Sequence, residues 1–337
     1  MKKVGQNALL GLLLLWSGMV IHAAQTTLVG NELYIALDAA NEAVDVANDG
    51  TQITLTSSVG ITGAGATFTT AQVVVIIISD AVDEDGQSIR FVAGSDFVLA
   101  GLTSTGVEKV EFINSVNATA GGLGIQITAP QNIILNGSTL NGGTGGVQLS
   151  GQGMAALETY GIFMRNNATV TANGMGAVSM YGNGGAAGVN NQGVLIRDNS
   201  VVSSSGGDVT VTGVSSINDG VILVFGGQIT AGGMGNVTVD GTAAPFTTGT
   251  VGGVIVSNEN SRITSSGGNV VVMGRVQDVP STKPNNYGVY LQQQGVISAG
   301  GLGTVTVIGH GGTSTGYGND GVVLFEGTIT SSGGKCR

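Results

Sequence analysis

The chain repeats itself, and the repeat is too short to fold alone. From residue 161 onward each unit opens with glycine and an apolar strand: Gly161-Ile-Phe-Met, Gly193-Val-Leu-Ile, Gly220-Val-Ile-Leu, Gly253-Val-Ile-Val, Gly288-Val-Tyr-Leu and Gly321-Val-Val-Leu. A polar turn leads to a second strand such as Val202-Ser, Ile229-Thr or Ile263-Thr. A glycine turn then leads to a third, such as Val209-Thr-Val, Val237-Thr-Val or Val305-Thr-Val. Successive opening glycines lie 32, 27, 33, 35 and 33 residues apart, a degenerate unit of about 32. Three short strands cannot bury their apolar faces in isolation, but stacked copies share one continuous core. The expected fold is therefore all-β: a single-stranded parallel β-helix, right-handed, with three strands per coil.

Composition agrees. Glycine supplies 60 of 337 residues, and only 9% are charged and 4% aromatic. Four prolines exclude a collagen triplet, and an apolar fraction of 42% excludes a disordered Gly/Ser linker. Alternation with period 2 points Val209 and Val211 inward and Thr210 outward. Glycine suits the tight corners, and small β-branched residues suit a narrow interior into which large aromatics are not expected to fit. The glycine turn alternates between a longer form (Thr171-Ala-Asn-Gly-Met-Gly, Thr230-Ala-Gly-Gly-Met-Gly, Ser298-Ala-Gly-Gly-Leu-Gly) and a shorter one (Ser203-Ser-Ser-Gly-Gly, Thr264-Ser-Ser-Gly-Gly, Thr330-Ser-Ser-Gly-Gly). That implies an ancestral pair of units duplicated as a block.

Three regions follow. Residues 1–23 read as a secretory signal: Lys2 and Lys3, the apolar run Leu9 to Trp16, and Ile21-His22-Ala23 as cleavage site. The run is too short to span a membrane. Residues 24–123 read as an N-terminal cap and lead-in coils, with Val73-Val-Val-Ile-Ile-Ile expected to be buried on both faces. Residues 124–337 are the repeat region, in which Gly124-Ile-Gln-Ile and Gly146-Val-Gln-Leu look like a diverged first repeat. The sequence stops inside a repeat at Gly334-Lys-Cys-Arg, where a Val-Thr-Val strand is due. The expectation is a fragment of something longer, whose uncapped ladder edge invites end-to-end or edge association.

Removing the signal takes two of eleven basic residues and leaves nine against 21 acidic ones, a net of −12. That sign disfavours nucleic acid and anionic membrane as partners. A single cysteine, Cys336, excludes a disulfide framework and thiolate metal clusters. No cofactor motif is present.

Candidate chemistry is sparse. The middle position of the first strand should face solvent, yet it holds Phe163, Leu195, Ile222, Ile255, Tyr290 and Val323. Either the variable segments between third and first strands cover this stripe, or it is an exposed strip that binds a partner. Asp83-Glu84-Asp85-Gly86 resembles part of a calcium loop, but Ala81 and Val92 occupy ligand positions. Asn48-Asp49-Gly50 and Asn319-Asp320-Gly321 read as turns. Arg165-Asn166-Asn167 stacks over Arg197-Asp198-Asn199, with Glu259 and Glu326 at nearby phases. Paired carboxylates could serve glycoside hydrolysis, although a solvated turn ladder fits better. His310, the one histidine left after signal removal, has no obvious Ser or Asp partner.

The signal, the Gly/Ser/Thr/Val-rich coils, the V-T-V strands and the S-S-G-G turns resemble bacterial β-strand-repeat surface proteins. These are filamentous-haemagglutinin-like adhesins and the β-helical passengers of autotransporters. The resemblance covers about residues 124–334 and is one of repeat style. It implies export to the cell surface, associated with the outer membrane or released, and attachment to polysaccharide or to a cell-surface protein. It implies no catalytic residue and no metal. The rival expectation is a secreted polysaccharide lyase or hydrolase on the same fold.

Overall fold

The computed structural model of the chain describes residues 23–80, 86–119, 121–153, 160–186, 190–245, 249–279, 284–313 and 315–337. The expected signal segment 1–22 and the acidic residues 81–85 lie outside the described residues. The chain is all-β: strands assemble into three long sheets, two of twelve strands and one of nine. The first, second and third strands of the repeat each build one sheet, and within the repeats each strand pairs in parallel with its equivalent in the next coil. Among the described residues the only helical element is the single turn Gly143–Gly145. No described helix is long and apolar enough to cross a membrane.

Register places like on like. In the third-strand sheet Val178, Val209, Val237, Val270 and Val305 form one inward column. In the second-strand sheet Val170, Val202, Ile229, Ile263 and Ile297 form another. These columns merge into one core running from Ala24 to Val305. The lead-in coils contradict the expectation that aromatics are excluded. Phe91, Phe97 and Phe112 are fully buried there, Phe91 stacking on Phe112 at 4.9 Å and meeting Phe97 edge-on at 5.4 Å. The Phe91–Phe112 column continues as Leu135, Met164, Ile196 and Leu223, so the interior changes its filling along the axis.

Two readings of the N-terminal third change. Gly124–Ala129 and Val147–Gln152 lie in the third-strand sheet, leading to Val178–Gly184, rather than opening a repeat. Their I-Q-I and V-Q-L alternation is that of V-T-V, and the leading glycine misaligned them. The run from Val73 to Ile78 is also less buried than expected, since Val74 is 39% exposed and Ile77 half-buried. The parallel ladders run unbroken across residue 123, back to Val75–Asp80, Ser88–Phe91 and Phe97–Leu99. Ahead of them, Ala24–Val29 with Glu32–Leu37 and Ala43–Asn48 with Gln52–Ser57 form antiparallel hairpins that cover the ends of two sheets. In the last coil the inward residues Val322 and Leu324 are 37% and 48% exposed. Lys335–Arg337 already pairs beside Val305, where a third strand is due.

Glycine is required where backbones touch. A Cβ on Gly182, Gly213, Gly241, Gly274 or Gly309 would sit 1.7–2.2 Å from the carbonyl oxygen of the glycine opening the next first strand. Third and first strands are thus pinched together at the neck of each variable segment. The alternating turns have a packing reason as well. Met175, Met234 and Leu302 are 72–83% exposed. A Cβ on Gly206, Gly267 or Gly333 in the following coil would lie only 3.0–3.7 Å from those side chains. Each bulky corner therefore lies over a bare one. Inside the short turns the Ser204 and Ser265 hydroxyls donate to the carbonyls of Gly207 and Gly268, where the long turns hold Ala172 and Ala231.

Gly241→Ala is expected to destabilise the protein by about 2–4 kcal/mol, because the methyl meets backbone that cannot yield. Thr238→Ala, on the outward face, should stay within about 0.5 kcal/mol. Urea-unfolding midpoints of the two variants measure the contrast.

Candidate functional site

The outward column of the first-strand sheet begins charged and turns apolar. Asp45, Arg90 and Glu111 head it, Arg90 holding Asp45 through two bonds of 2.7 and 2.8 Å. Ile134 follows, then the six predicted residues in unbroken register: Phe163, Leu195, Ile222, Ile255, Tyr290 and Val323. The alternative of an exposed strip is corrected. Leu195, Ile222 and Ile255 are only 7–8% exposed and form a small core of their own, while Phe163, Tyr290 and Val323 are half-buried. In three coils the position just before the opening glycine packs onto the stripe. Tyr160 stacks on Phe163 at 4.5 Å, Tyr287 packs on Tyr290 at 4.7 Å, and a Cβ on Gly252 would lie 2.5 Å from Ile255. Above the necks Ala243, Val251 and Val276 form a further buried cluster. The variable segments are thus partly a packed second layer.

Asp219 occupies the same position in its coil and is buried. Its Oδ1 accepts the N–H of Gly252 at 2.8 Å, and its own N–H donates to Asn218 Oδ1 at 3.0 Å. Burial pushes its pKa up from 3.8 to about 7, against the opposing pull of the backbone N–H groups of Gly252 and of Asp219 itself on the carboxyl.

The corner between first and second strands explains the Arg-Asn-Asn and Arg-Asp-Asn runs. Asn166, Asn167, Asp198 and Asn199 all have φ of 54–62°, a left-handed conformation that Asn and Asp tolerate best. These residues turn the chain. Arg197 holds Asp198 at 3.0 Å and lies over Phe225, and Arg165 lies over Phe163 at 5.3 Å. The pair is half-exposed and saturates itself, which makes a solvated turn ladder.

Further along, the same corner hollows out. Seven residues separate the opening glycine from the residue just before the second strand in four coils (Gly161 to Ala168, Gly193 to Ser200, Gly220 to Gly227, Gly288 to Gly295). The coil at Gly253 takes eight to reach Ser261, and the coil at Gly321 takes six to reach Gly327. Around this step lies a hollow of about 450 Å³ lined by Glu259, Asn260, Arg262, Gln294, Ser298 and Glu326, with Thr264 and Thr328 beside them. Sequence reasoning noted the two glutamates but missed that they meet; the one-residue insertion and deletion was the available signal. Their coils are two apart, about 9.5 Å at normal strand spacing. Both glutamate side chains are exposed, and neither makes a hydrogen bond or ion pair among the described residues. A catalytic carboxylate pair needs held geometry, and these are not held.

The remaining candidates are local structure. His310 does have a partner, since its Nε2 lies 3.0 Å from Asp278 Oδ1, 32 residues back and one coil away. Both are more than half exposed, and such a pair contributes little to stability. Asp49 accepts the backbone N–H groups of Thr51 and Gln52, which hold its carboxyl below the usual range and mark a turn. Asp83, Glu84 and Asp85 lie outside the described residues, which contain no group of three or more metal-ligating side chains. The chain matches no protein-family model, no curated protein and no solved structure.

Ile222→Ala should cost about 2–4 kcal/mol in chemical denaturation, the cost of a buried rather than a surface side chain. Asp219 sets a pH dependence of definite sign. Between about pH 4 and 7 the folded chain retains a proton that the unfolded chain has released, so stability falls as pH rises through this window. Asp219→Asn keeps an oxygen for Gly252, abolishes that fall, and stabilises the protein above pH 7 by up to about 4 kcal/mol. Denaturant midpoints at pH 5 and 8 in both proteins check it.

Proposed function

We propose that this is an exported, surface-displayed right-handed parallel β-helix with repeats of about 32 residues, acting in attachment as an adhesin or structural rod without catalysis. The observation that carries this reading is the outward face of the second-strand sheet. There Asn141, Thr171, Ser203, Thr230, Thr264, Ser298 and Thr330 stand in one column over seven consecutive coils. Ser203 donates to the Thr171 hydroxyl at 2.9 Å and Thr264 to that of Thr230 at 3.0 Å. A column of hydroxyls at strand spacing, about 4.8 Å, suits a partner that is itself a repeat of hydroxyls. Polysaccharide is such a partner, held by many weak contacts rather than one pocket. The likeness in repeat style to haemagglutinin-type and autotransporter-passenger proteins supports the same reading. A net charge of −10 directs it away from nucleic acid and anionic membrane.

The rival reading, a polysaccharide lyase or hydrolase, draws on one observation, the shared hollow of Glu259 and Glu326. Incubation with a panel of insoluble polysaccharides, recording retention and chain shortening together, separates the two. Retention without shortening is expected, weakened roughly tenfold by the triple variant Thr230→Val, Thr264→Val, Thr330→Val. Appearance of new reducing ends would sink the non-catalytic reading.

A further inference from the structure

We infer that the hollow between Glu259 and Glu326 is a binding subsite for neutral glycan, where the hydroxyls of a short sugar segment bridge the two carboxylates. This rests on the attachment reading and adds to it a discrete place and a ligand class.

The hollow arises from two changes of corner length, one coil bulging by a residue and another shortened by one. The lengthened coil carries Glu259, the shortened coil carries Glu326, and Gln294 lies in the coil between. Its volume of about 450 Å³ lies in the range of small-ligand sites. The chemistry of its lining is that of hydroxyl recognition. Two carboxylates without a partner among the described residues accept hydrogen bonds, the Gln294 amide accepts and donates, and the Arg262 guanidinium donates. Hydroxyls of Thr264, Ser298 and Thr328 extend the polar surface onto the second-strand sheet.

Backbone conformation here runs against local preference. The coils opening at Gly161 and Gly193 place Asn or Asp at the left-handed corner, at Asn166, Asn167, Asp198 and Asn199, and the coil opening at Gly220 places Phe225 there (φ 50°). At the hollow the lengthened coil keeps Asn258 (φ 72°) and Asn260 (φ 67°) left-handed, whereas the next two coils hold Gln293 (φ 48°), Gln294 (φ 70°) and Glu326 (φ 62°), longer side chains that accept this conformation less readily. Gln294 and Glu326 thereby line the hollow with side chains longer than the Asn of the lengthened coil. Charge selects the ligand class. Two carboxylates face one guanidinium in a chain of net charge −10, so uronate and sulfated glycans are repelled.

The test is titration of the full-length chain with soluble hexasaccharides followed by NMR: neutral gluco- and manno-oligosaccharides, an oligouronate, and a chitosan oligomer. Neutral oligomers are expected to bind with Kd near the millimolar range, as an open site allows, and the oligouronate not at all. Glu259→Ala and Glu326→Ala should each weaken binding roughly tenfold. Glu326→Asn suits the left-handed backbone, so it should raise Tm while weakening binding to the same degree. Ser298→Trp should fill the hollow and abolish binding, and Leu302→Ala on the opposite corner should change nothing. Undiminished binding by Glu326→Asn and Ser298→Trp, or a preference for the oligouronate or chitosan, would overturn the inference. No binding of any oligomer while insoluble polysaccharide is still retained would overturn the hollow and leave the hydroxyl column in place. No binding in either assay would remove both.

Discussion

Contact of backbone on backbone at the glycine necks is the constraint on which the rest depends. Where Gly182, Gly213, Gly241, Gly274 and Gly309 press on the glycines opening the next first strands, no side chain separates the sheets. That closeness closes the coil on one side, and it also releases the segment between the two glycines to vary in length. The two glycines of a neck can therefore lie anywhere from seven to fourteen positions apart without disturbing the neighbouring coils. The pinch also fixes phase. Because both glycine columns must stay opposed, each first strand starts in register, and the outward and inward columns follow from period 2.

Most of the architecture was legible because the three strands have different signatures. Gly-Val-Ile, Ile-Thr and Val-Thr-Val sort themselves into the three sheets. Where signatures blur, the reading slipped: Gly124 and Gly146 carry the opening glycine of one strand type and the alternation of another, and alternation decides the sheet. The buried Phe91, Phe97 and Phe112 were missed for a related reason. The repeats display an interior filled by valine and isoleucine, but the lead-in coils fill theirs differently, and no repeat statistic covers them.

Site chemistry was harder to read because a solenoid makes neighbours of residues about thirty positions apart. His310 meets Asp278 and Glu259 shares a hollow with Glu326 through stacking alone. Aligning coils on their opening glycines and looking for gained or lost residues would have found the hollow. Cover of the apolar stripe comes in part from the residue before the opening glycine, a position filled by Tyr160, Gln192, Asp219, Gly252, Tyr287 and Asp320 with no shared character. The stripe is apolar because it is roofed, and the roof is irregular. Asp219 shows the cost of that irregularity, a carboxyl buried where Tyr160 and Tyr287 put a ring and Gly252 a bare backbone.

The alternation of bulky and bare corners has a bearing on how such a chain changes length. Met175 lies over Gly206 and Met234 over Gly267, so adjacent coils are complementary while coils two apart are alike. Losing a single coil would set Met175 against Met234, or Gly206 against Gly267, and leave either a collision or a gap along that edge. Losing two coils together restores the match. From Met175 to Gly333 the coils are thus matched in pairs, so this stretch changes length without mismatch only in even steps, much as a zipper is measured by interlocking teeth from both sides.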